Sequence, residues 1–223
     1  MHCLSRLALL ALMASIVNPE LPSPARTSTI HGHVEVGLRL GPSVARPSTR
    51  ELGSPSRRDT PDRTRTVVYL EVAPQDAFEQ PDDRRARMDQ RNETFVPYVL
   101  AVHAGSTVEF PNNDEIYHNV FSLSGTKKFD LGRYERGRSK SVRFEQPGVV
   151  RVFCDIHSHM NAFILVFAHR YFAMTDEAGR YRIDNVPQGT YDLVAWTDGE
   201  VRAAETVTVT GAGEAITMDF VIE

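Results

Sequence analysis

Residues 153–166 read FCDIHSHMNAFILV and place three side chains that can bind a metal on one short segment. Cys154, His157 and Met160 are spaced as C-x2-H-x2-M, where one apolar run ends and the next begins. A loop between the ends of two adjacent strands can direct such side chains towards one point. A fourth candidate, His118, lies in the preceding segment VEFPNNDEIYHNVFS (108–122).

The chain around this segment has the pattern of an all-β protein. Short runs rich in Val, Ile, Phe and Tyr alternate with Gly, Pro, Asn and Asp, and helical periodicity is almost absent. A charged stretch at 76–94 is predicted to hold one or two helical turns, without assigned chemistry. The predicted strands cover 28–38, 65–73, 98–103, 106–110, 117–122, 139–144, 149–154, 162–168, 171–174, 180–184, 190–197, 203–209 and 216–222.

Composition excludes two classes of protein. The chain has 223 residues, of which 41% are hydrophobic and 24% charged, so it can bury a sizeable core and is not disordered throughout. Its formal net charge is -4. Because nucleic-acid binders usually carry a basic excess, we expect no nucleic-acid partner.

The N-terminus predicts export. Arg6 precedes an apolar run at 7–17 that is too short to anchor the chain in a bilayer. Small residues at Ser23 and Ala25 match a cleavage site, so residues 1–25 are predicted to be a signal peptide, with cleavage after Ala14 as an alternative. We therefore expect a periplasmic or secreted protein with no membrane span after signal removal.

The two cysteines have different predicted fates. Cys3 lies in the predicted signal peptide and leaves with it, whereas Cys154 stays in the mature chain without an intramolecular partner. A lone thiol in an oxidising compartment calls for burial, intermolecular pairing or a metal.

The segment TDEAGRYRIDNVPQGTYDLVAW (175–196) alternates between tight turns and strands. It resembles the carboxypeptidase regulatory-like domains, which are small β-sandwiches of the transthyretin type. The G-x-V strand and the V-x-L strand at the start of that family are similar to Gly32–Val34 and Val67–Leu70 here. Such domains are usually structural, and the resemblance carries no catalytic residue to this chain.

This resemblance implies a nested organisation, although three modules in series are an alternative. The predicted parts are a regulatory-like sandwich at 28–73 plus 169–222, a mobile Pro-, Ser- and Arg-rich loop at 41–66, and an inserted module at 74–168 with its core at 92–168.

The donor set of the inserted module suits copper. Thiolate favours Cu(I), imidazole serves both oxidation states, and a weak thioether ligand leaves the geometry intermediate between their preferences. Four protein ligands also leave no open position for a substrate. Zinc is the main rival, because one Cys and two or three His residues would satisfy it tetrahedrally. A buried, inert thiol is the alternative without a metal.

The motif H-N-V-F followed by C-x2-H-x2-M resembles the type 1 copper site of cupredoxins, and its short ligand loop is similar to that of the amicyanin branch; plastocyanin has a longer loop. The resemblance covers about a third of the chain. It implies a Greek-key β-sandwich that holds one type 1 copper ion. The ligands that it implies are His118, Cys154, His157 and Met160. Asn119 would then form a hydrogen bond across to the ligand loop.

The other histidines receive less specific roles. His159 departs from the family pattern beside Met160 and is predicted either to compete as a ligand or to tune access. His31 and His33 share one strand face without a partner in the sequence, and His103 and His169 are predicted to be ordinary surface or core residues.

We expect an electron-transfer protein and not an enzyme. An oxidase in particular is disfavoured, because the sequence shows no second copper cluster with paired H-x-H segments. Protein redox donors and acceptors of unknown identity would be its partners, and His157 would be the electron port. The alternatives are a copper-binding carrier without redox turnover and a structural β-sandwich module. The run 127–143 carries seven basic and two acidic residues and is either a docking face for an acidic partner or a solvated hairpin.

Overall fold

The computed structural model describes residues 27–37, 62, 64–74, 84–211 and 213–222. The predicted signal peptide with Cys3, and most of the predicted loop at 41–66, lie outside these residues. The part of the chain that the structure describes contains no helix long and apolar enough to cross a membrane. The described elements are strands, which confirms the predicted all-β class.

Ten consecutive strands form what we call the central sandwich. They are β3 (Arg85–Arg87), β4 (Asp89–Arg91), β5 (Thr94–Val96), β6 (Val99–His103), β7 (Ser106–Pro111), β8 (His118–Leu123), β9 (Lys128–Tyr134), β10 (Ser139–Phe144), β11 (Gly148–Phe153) and β12 (Asn161–Phe167). One sheet has the order β6-β12-β11-β8-β9 and the other β10-β7-β3, while β4 and β5 form a separate hairpin. Apolar residues that alternate along these strands meet in one core, which includes Phe110, Phe144 and Val152.

Eight strands before and after this block form the outer sandwich. They are β1 (Thr27–Val36), β2 (Val67–Leu70), β13 (Phe172–Met174), β14 (Arg180–Pro187), β15 (Gly189–Thr197), β16 (Glu200–Val209), β17 (Ala215–Thr217) and β18 (Phe220–Ile222). One sheet has the order β14-β1-β17 with β18 also paired to β1, and the other has the order β13-β2-β15-β16. A second core, with Ile30 and Leu193 fully buried, lies within this group. The boundaries proposed at residues 74 and 168 remain a prediction.

The two sandwiches contact each other through aromatic side chains. Trp196 of β15 is 3% exposed and its ring lies edge-on to Phe163 of β12, with centroids 5.3 Å apart. The hydroxyl of Tyr98 donates a hydrogen bond to Asp198 at 2.6 Å. Phe167 stacks on Phe172 with centroids 4.4 Å apart. These contacts join β12 and Tyr98, which directly precedes β6, to the outer sandwich.

The helical turns predicted at 76–94 are wrong for the part of this segment that the structure describes. Residues 84–96 contain three short strands, and β3 pairs in parallel with β7. The β4–β5 hairpin turns at Asn92 and Glu93, which have φ angles of 49° and 54°. Strand β9, which the sequence patterns did not indicate, pairs antiparallel with β8.

Candidate metal centre

The topology places the two ligand-bearing segments side by side. His118 is the first residue of β8, and Cys154 directly follows the last residue of β11. Strands β8 and β11 are antiparallel neighbours, with Phe121 opposite Phe153, so the start of one strand adjoins the end of the other. The loop from β11 to β12 supplies His157 and Met160. This register brings His118 beside a loop that begins 36 residues later.

Three ligand atoms converge at this end of the sheet. The Cys154 Sγ atom lies 3.8 Å from the Nδ1 atom of His118 and 3.8 Å from the Nδ1 atom of His157. The two Nδ1 atoms are 3.1 Å apart. These separations suit one ion, because metal bonds to imidazole nitrogen and thiolate sulfur are about 2.0–2.3 Å long. The three residues form a group that could hold a metal ion.

The ligand loop is closed by backbone hydrogen bonds. The amide of Cys154 donates to the carbonyl of Met160 at 3.2 Å, and the amide of Met160 donates to the carbonyl of His157 at 2.9 Å. Met160 is 1% exposed and belongs to the same core cluster as Cys154. His118 is fully buried, whereas His157 is half-buried, so His157 connects the centre to the surface.

The environment of Cys154 favours its thiolate. Burial opposes ionisation of this thiol, but the His118 imidazole and the backbone amides of Asn119, His157 and Ile156 outweigh it and lower the pKa of Cys154 to about 6. Thiolate is the form of cysteine that binds metals. For His118, burial lowers the pKa, but the contacts with Cys154 and Asp114 raise it above the ordinary histidine value.

Asp114 is a contact of the site that the sequence motifs did not identify. Its Oδ2 atom lies 2.6 Å from the Nε2 atom of His118, on the side of the ring away from Cys154. The sequence carries a sign of it, because Asp114 precedes His118 by four residues in the turn-forming run NNDEIYH.

Asn119 contacts the centre through its main chain. Its backbone amide donates to the Cys154 sulfur. Its side-chain Oδ1 is buried and has no hydrogen-bond partner in the described part of the chain. The hydrogen bond that the sequence predicts from Asn119 is therefore made to the Cys154 sulfur by the main chain.

His159 lies outside the group of three ligand atoms. Its side chain is 40% exposed, and its Nε2 atom lies 3.3 Å from the Oε2 atom of Glu93 in the β4–β5 turn. His169 is 8% exposed and accepts a hydrogen bond from the amide of Tyr171, as a core histidine does. The Nδ1 atom of His31 lies 3.0 Å from the carbonyl oxygen of Ile216, far along the chain from the metal ligands.

The basic run at 127–143 is largely neutralised by ion pairs. Four of its seven cations are paired with carboxylates, as Lys127–Glu145, Arg133–Asp155, Arg136–Glu115 and Arg138–Glu135. Glu115 lies on the loop that leads into β8, and Asp155 lies on the loop from β11 to β12. Apolar side chains are also exposed on these loops, at Ile116, Tyr117 and Ile156.

Comparison with protein families gives a match on the C-terminal part of the chain. Residues 158–218 match the model described as polysaccharide lyase family 4, domain II. This range runs from the ligand loop into the outer sandwich, and the resemblance of the turn pattern to the regulatory-like domains remains a prediction. No curated protein sequence matches the chain.

Solved structures similar to this chain include copper proteins. A purple cupredoxin from Nitrosopumilus maritimus is 22% identical over 37% of this chain and 99% of its own, with a TM-score of 0.34. A copper-containing nitrite reductase from Thermus scotoductus is 25% identical over 39% of this chain and 23% of its own, with a TM-score of 0.37. A reduced tryptophan-to-tyrosine mutant of amicyanin is 19% identical over 45% of this chain and 98% of its own, with a TM-score of 0.36. Since all three TM-scores are below 0.5, the metal site is inferred from this chain's own ligand atoms.

Proposed function

We propose that this chain is a type 1 copper protein that carries single electrons between protein partners outside the cytoplasm. The observation that supports this proposal most directly is the convergence of one thiolate and two imidazole nitrogens within 3.8 Å of one another. His118, Cys154 and His157 would hold the ion in this proposal, with buried Met160 as a weak fourth ligand.

The donor set favours copper over its main rival. Two imidazoles and one thiolate with a thioether nearby are typical of blue-copper electron-transfer sites. Zinc accepts the same nitrogen and sulfur ligands, but it has no redox chemistry. A bound copper ion would supply reversible one-electron chemistry, and the chain would supply a buried and preformed set of ligands.

The burial of the site supports an electron carrier and not an enzyme. His118 is 0% exposed and Cys154 is 4% exposed, so the described residues leave little access for a substrate. The half-buried ring of His157 is the ligand that reaches towards the surface. An electron can pass through its ring without a substrate entering the site.

The surroundings of His157 indicate how protein partners would dock. Ile156 precedes it and is 40% exposed, and Ile116 and Tyr117 on the other ligand loop are 41% and 56% exposed. Nearby charges are paired, since Arg133 binds Asp155 and Arg136 binds Glu115. We therefore assign docking to apolar contact around His157, and we keep the redox donor and acceptor as proteins of unknown identity.

Copper titration of the purified mature chain tests this proposal. We expect Cu(II) to produce an intense visible thiolate-to-copper absorption that disappears on reduction and returns on oxidation. Cys154→Ser should abolish the band because it removes the thiolate, and Ser158→Ala in the same loop is the matched control that should keep it. A colourless protein that binds Cu(I) without cycling would favour the carrier alternative, and a protein that binds no copper would favour a structural module.

A further inference from the structure

A carboxylate lies behind the first imidazole of the site. The Oδ2 atom of Asp114 is 2.6 Å from the Nε2 atom of His118, whereas the Nδ1 atom of the same ring faces Cys154 and His157. The side chain of Asp114 is 12% exposed and that of His118 is fully buried. A neutral imidazole carries one proton, and an acceptor at Nε2 holds that proton away from the ligand atoms.

The carboxylate is itself fixed by the β4–β5 turn. The amide of Asn92 donates to its Oδ1 atom at 2.5 Å, and the amide of Glu93 donates to its Oδ2 atom at 2.8 Å. Both turn residues have positive φ angles, as the two central positions of a type I′ hairpin turn require. Glu is an unusual residue at such an angle, and strained backbone of this kind tends to persist at functional sites.

Buried polar groups anchor the turn and the loop that carries Asp114. Gln90 of β4 is fully buried and donates to the hydroxyl of Tyr134 at 2.6 Å. The side chain of Asn112 donates to the carbonyl groups of Ile116 and Tyr134 at 2.9 Å and 3.0 Å. The Asn112 side chain also accepts the amide of Asp114 at 2.9 Å. The carboxylate is therefore fixed through both its side chain and its main chain.

We propose that Asp114, supported by the β4–β5 turn, is a positioning residue that fixes the proton of His118 on Nε2 and presents Nδ1 to the metal as a stronger donor. The effect on copper rests on the proposed function, whereas the position of the proton does not. A carboxylate partner raises the basicity of a ligand imidazole. A more basic imidazole stabilises Cu(II) relative to Cu(I), so Asp114 lowers the reduction potential.

The substitution Asp114→Asn tests this role. The carboxylate accepts three donors, from Asn92, Glu93 and His118, whereas an amide offers one acceptor oxygen and brings donors of its own. We expect a 10-fold to 100-fold loss of Cu(II) affinity, the range found when partners of ligand histidines are removed. If Cu(I) affinity is unchanged, each tenfold loss raises the reduction potential by about 59 mV.

The matched control is Asp176→Asn in the outer sandwich. The carboxylate of Asp176 also accepts two backbone amides, those of Ala178 and Arg180, each at 2.9 Å. It lies before β14, away from the metal ligands in the sheet order. We expect this variant to keep the copper affinity and the potential of the unchanged protein.

Nitrogen NMR of the unchanged protein without metal gives a second readout that requires no variant to fold. At a pH high enough to neutralise the imidazole, we expect the single ring proton of His118 on Nε2. A proton on Nδ1, shared with the Cys154 sulfur, would overturn the proposal, as would an Asp114→Asn variant with unchanged potential and Cu(II) affinity. A protein that places the proton on Nε2 but never binds copper would retain the positioning role and refute the proposed function.

Discussion

The Nδ1 atoms of His118 and His157 lie 3.1 Å apart, although the residues are 39 positions apart in the chain. Both atoms face Cys154 Sγ at 3.8 Å. Two unprotonated ring nitrogens at this distance would direct their lone pairs at each other, so a proton on one nitrogen or a metal ion is needed between them. In the metal-free protein a proton on the Nδ1 atom of His157 can serve, because it is donated to the unprotonated Nδ1 atom of His118. A metal ion satisfies all three atoms at once.

Metal binding should therefore stabilise the folded chain. With free copper at about 100 times its dissociation constant, we expect a gain of about 2.7 kcal/mol in the free energy of unfolding. For a chain of this size that gain corresponds to a rise of about 5–10 °C in Tm. Thermal unfolding followed by circular dichroism, with and without copper, measures the shift, and a chelator should reverse it.

The variant Cys154→Ala is the control for this shift. It removes the sulfur ligand and leaves both imidazoles in place, so copper should raise its Tm far less than that of the unchanged chain. An equal shift in both proteins would mean that copper stabilises the chain from another place.

Strands that show their pattern in consecutive residues of the chain could be predicted from the sequence. In β14, buried and exposed residues alternate from Arg180 to Ile183, and this period of two is visible in the letters alone. Strands β3, β4 and β5 have three residues each, and β3 and β4 are rich in charge. They form because β3 pairs with β7 and the fully buried Gln90 anchors β4, contacts that no local pattern encodes.

In the candidate site too, the local spacing of residues could be predicted from the sequence, and the long-range contacts could not. The spacing of Cys154, His157 and Met160 is local, and one loop satisfies it. The partner of His118 is not local in this sense, because Asp114 reaches Nε2 only after the distant β4–β5 turn has fixed its carboxylate. For Asn119, a motif identified the residue, but it could not say whether main chain or side chain would make the contact.

Close packing at Gly32 gives a second prediction. A Cβ atom there would collide with the carbonyl oxygen of Met218, which lies in the link between β17 and β18. The amide of Met218 also donates to the carbonyl of His31 at 2.9 Å, so the backbone has little room to move. We expect Gly32→Ala to lower the free energy of unfolding by about 3 kcal/mol, as overpacking does.

Gly125→Ala is the matched control for Gly32→Ala. A Cβ atom at Gly125 would meet nothing within 4 Å, so its effect should stay within about 0.5 kcal/mol. Urea unfolding of both variants measures the difference. Equal losses of stability would refute the collision as the cause.

The contact between the sandwiches gives a third prediction. The hydroxyl of Tyr98 donates to the carboxylate of Asp198 at 2.6 Å, close to Trp196, which is the single tryptophan of the chain. Tyr98→Phe removes this charge-assisted hydrogen bond and should lower the free energy of unfolding by about 1–2 kcal/mol. Tryptophan fluorescence during urea unfolding reports on this part of the molecule.

Tyr117→Phe makes the same chemical change at an exposed tyrosine. The hydroxyl of Tyr117 is 3.4 Å from Glu135, and the residue is 56% exposed, so the loss should stay within about 0.5 kcal/mol. If Tyr98→Phe were as mild as this control, the hydrogen bond to Asp198 would contribute no measurable stability.

The buried His169 gives a prediction on pH. Burial and the nearby His103 lower the pKa of His169, and its Nδ1 atom accepts the amide of Tyr171 at 3.2 Å. The unfolded chain binds a proton at a pKa of about 6.5, so it is protonated before the folded chain is. The contribution of His169 to stability is therefore complete above this value and is lost as the pH falls through the lowered pKa.

His169→Asn keeps an acceptor for the Tyr171 amide but cannot take up a proton. The difference in unfolding free energy between the unchanged chain and this variant isolates the titration of His169, because all other titrating groups are common to both. We expect the unchanged chain to lose stability relative to the variant as urea unfolding is repeated from pH 8 down to about pH 5. His33→Asn, at an exposed position of β1, controls for the exchange of histidine for asparagine as such. A difference that stays constant over this range would mean that His169 takes up its proton equally well in the folded and the unfolded chain.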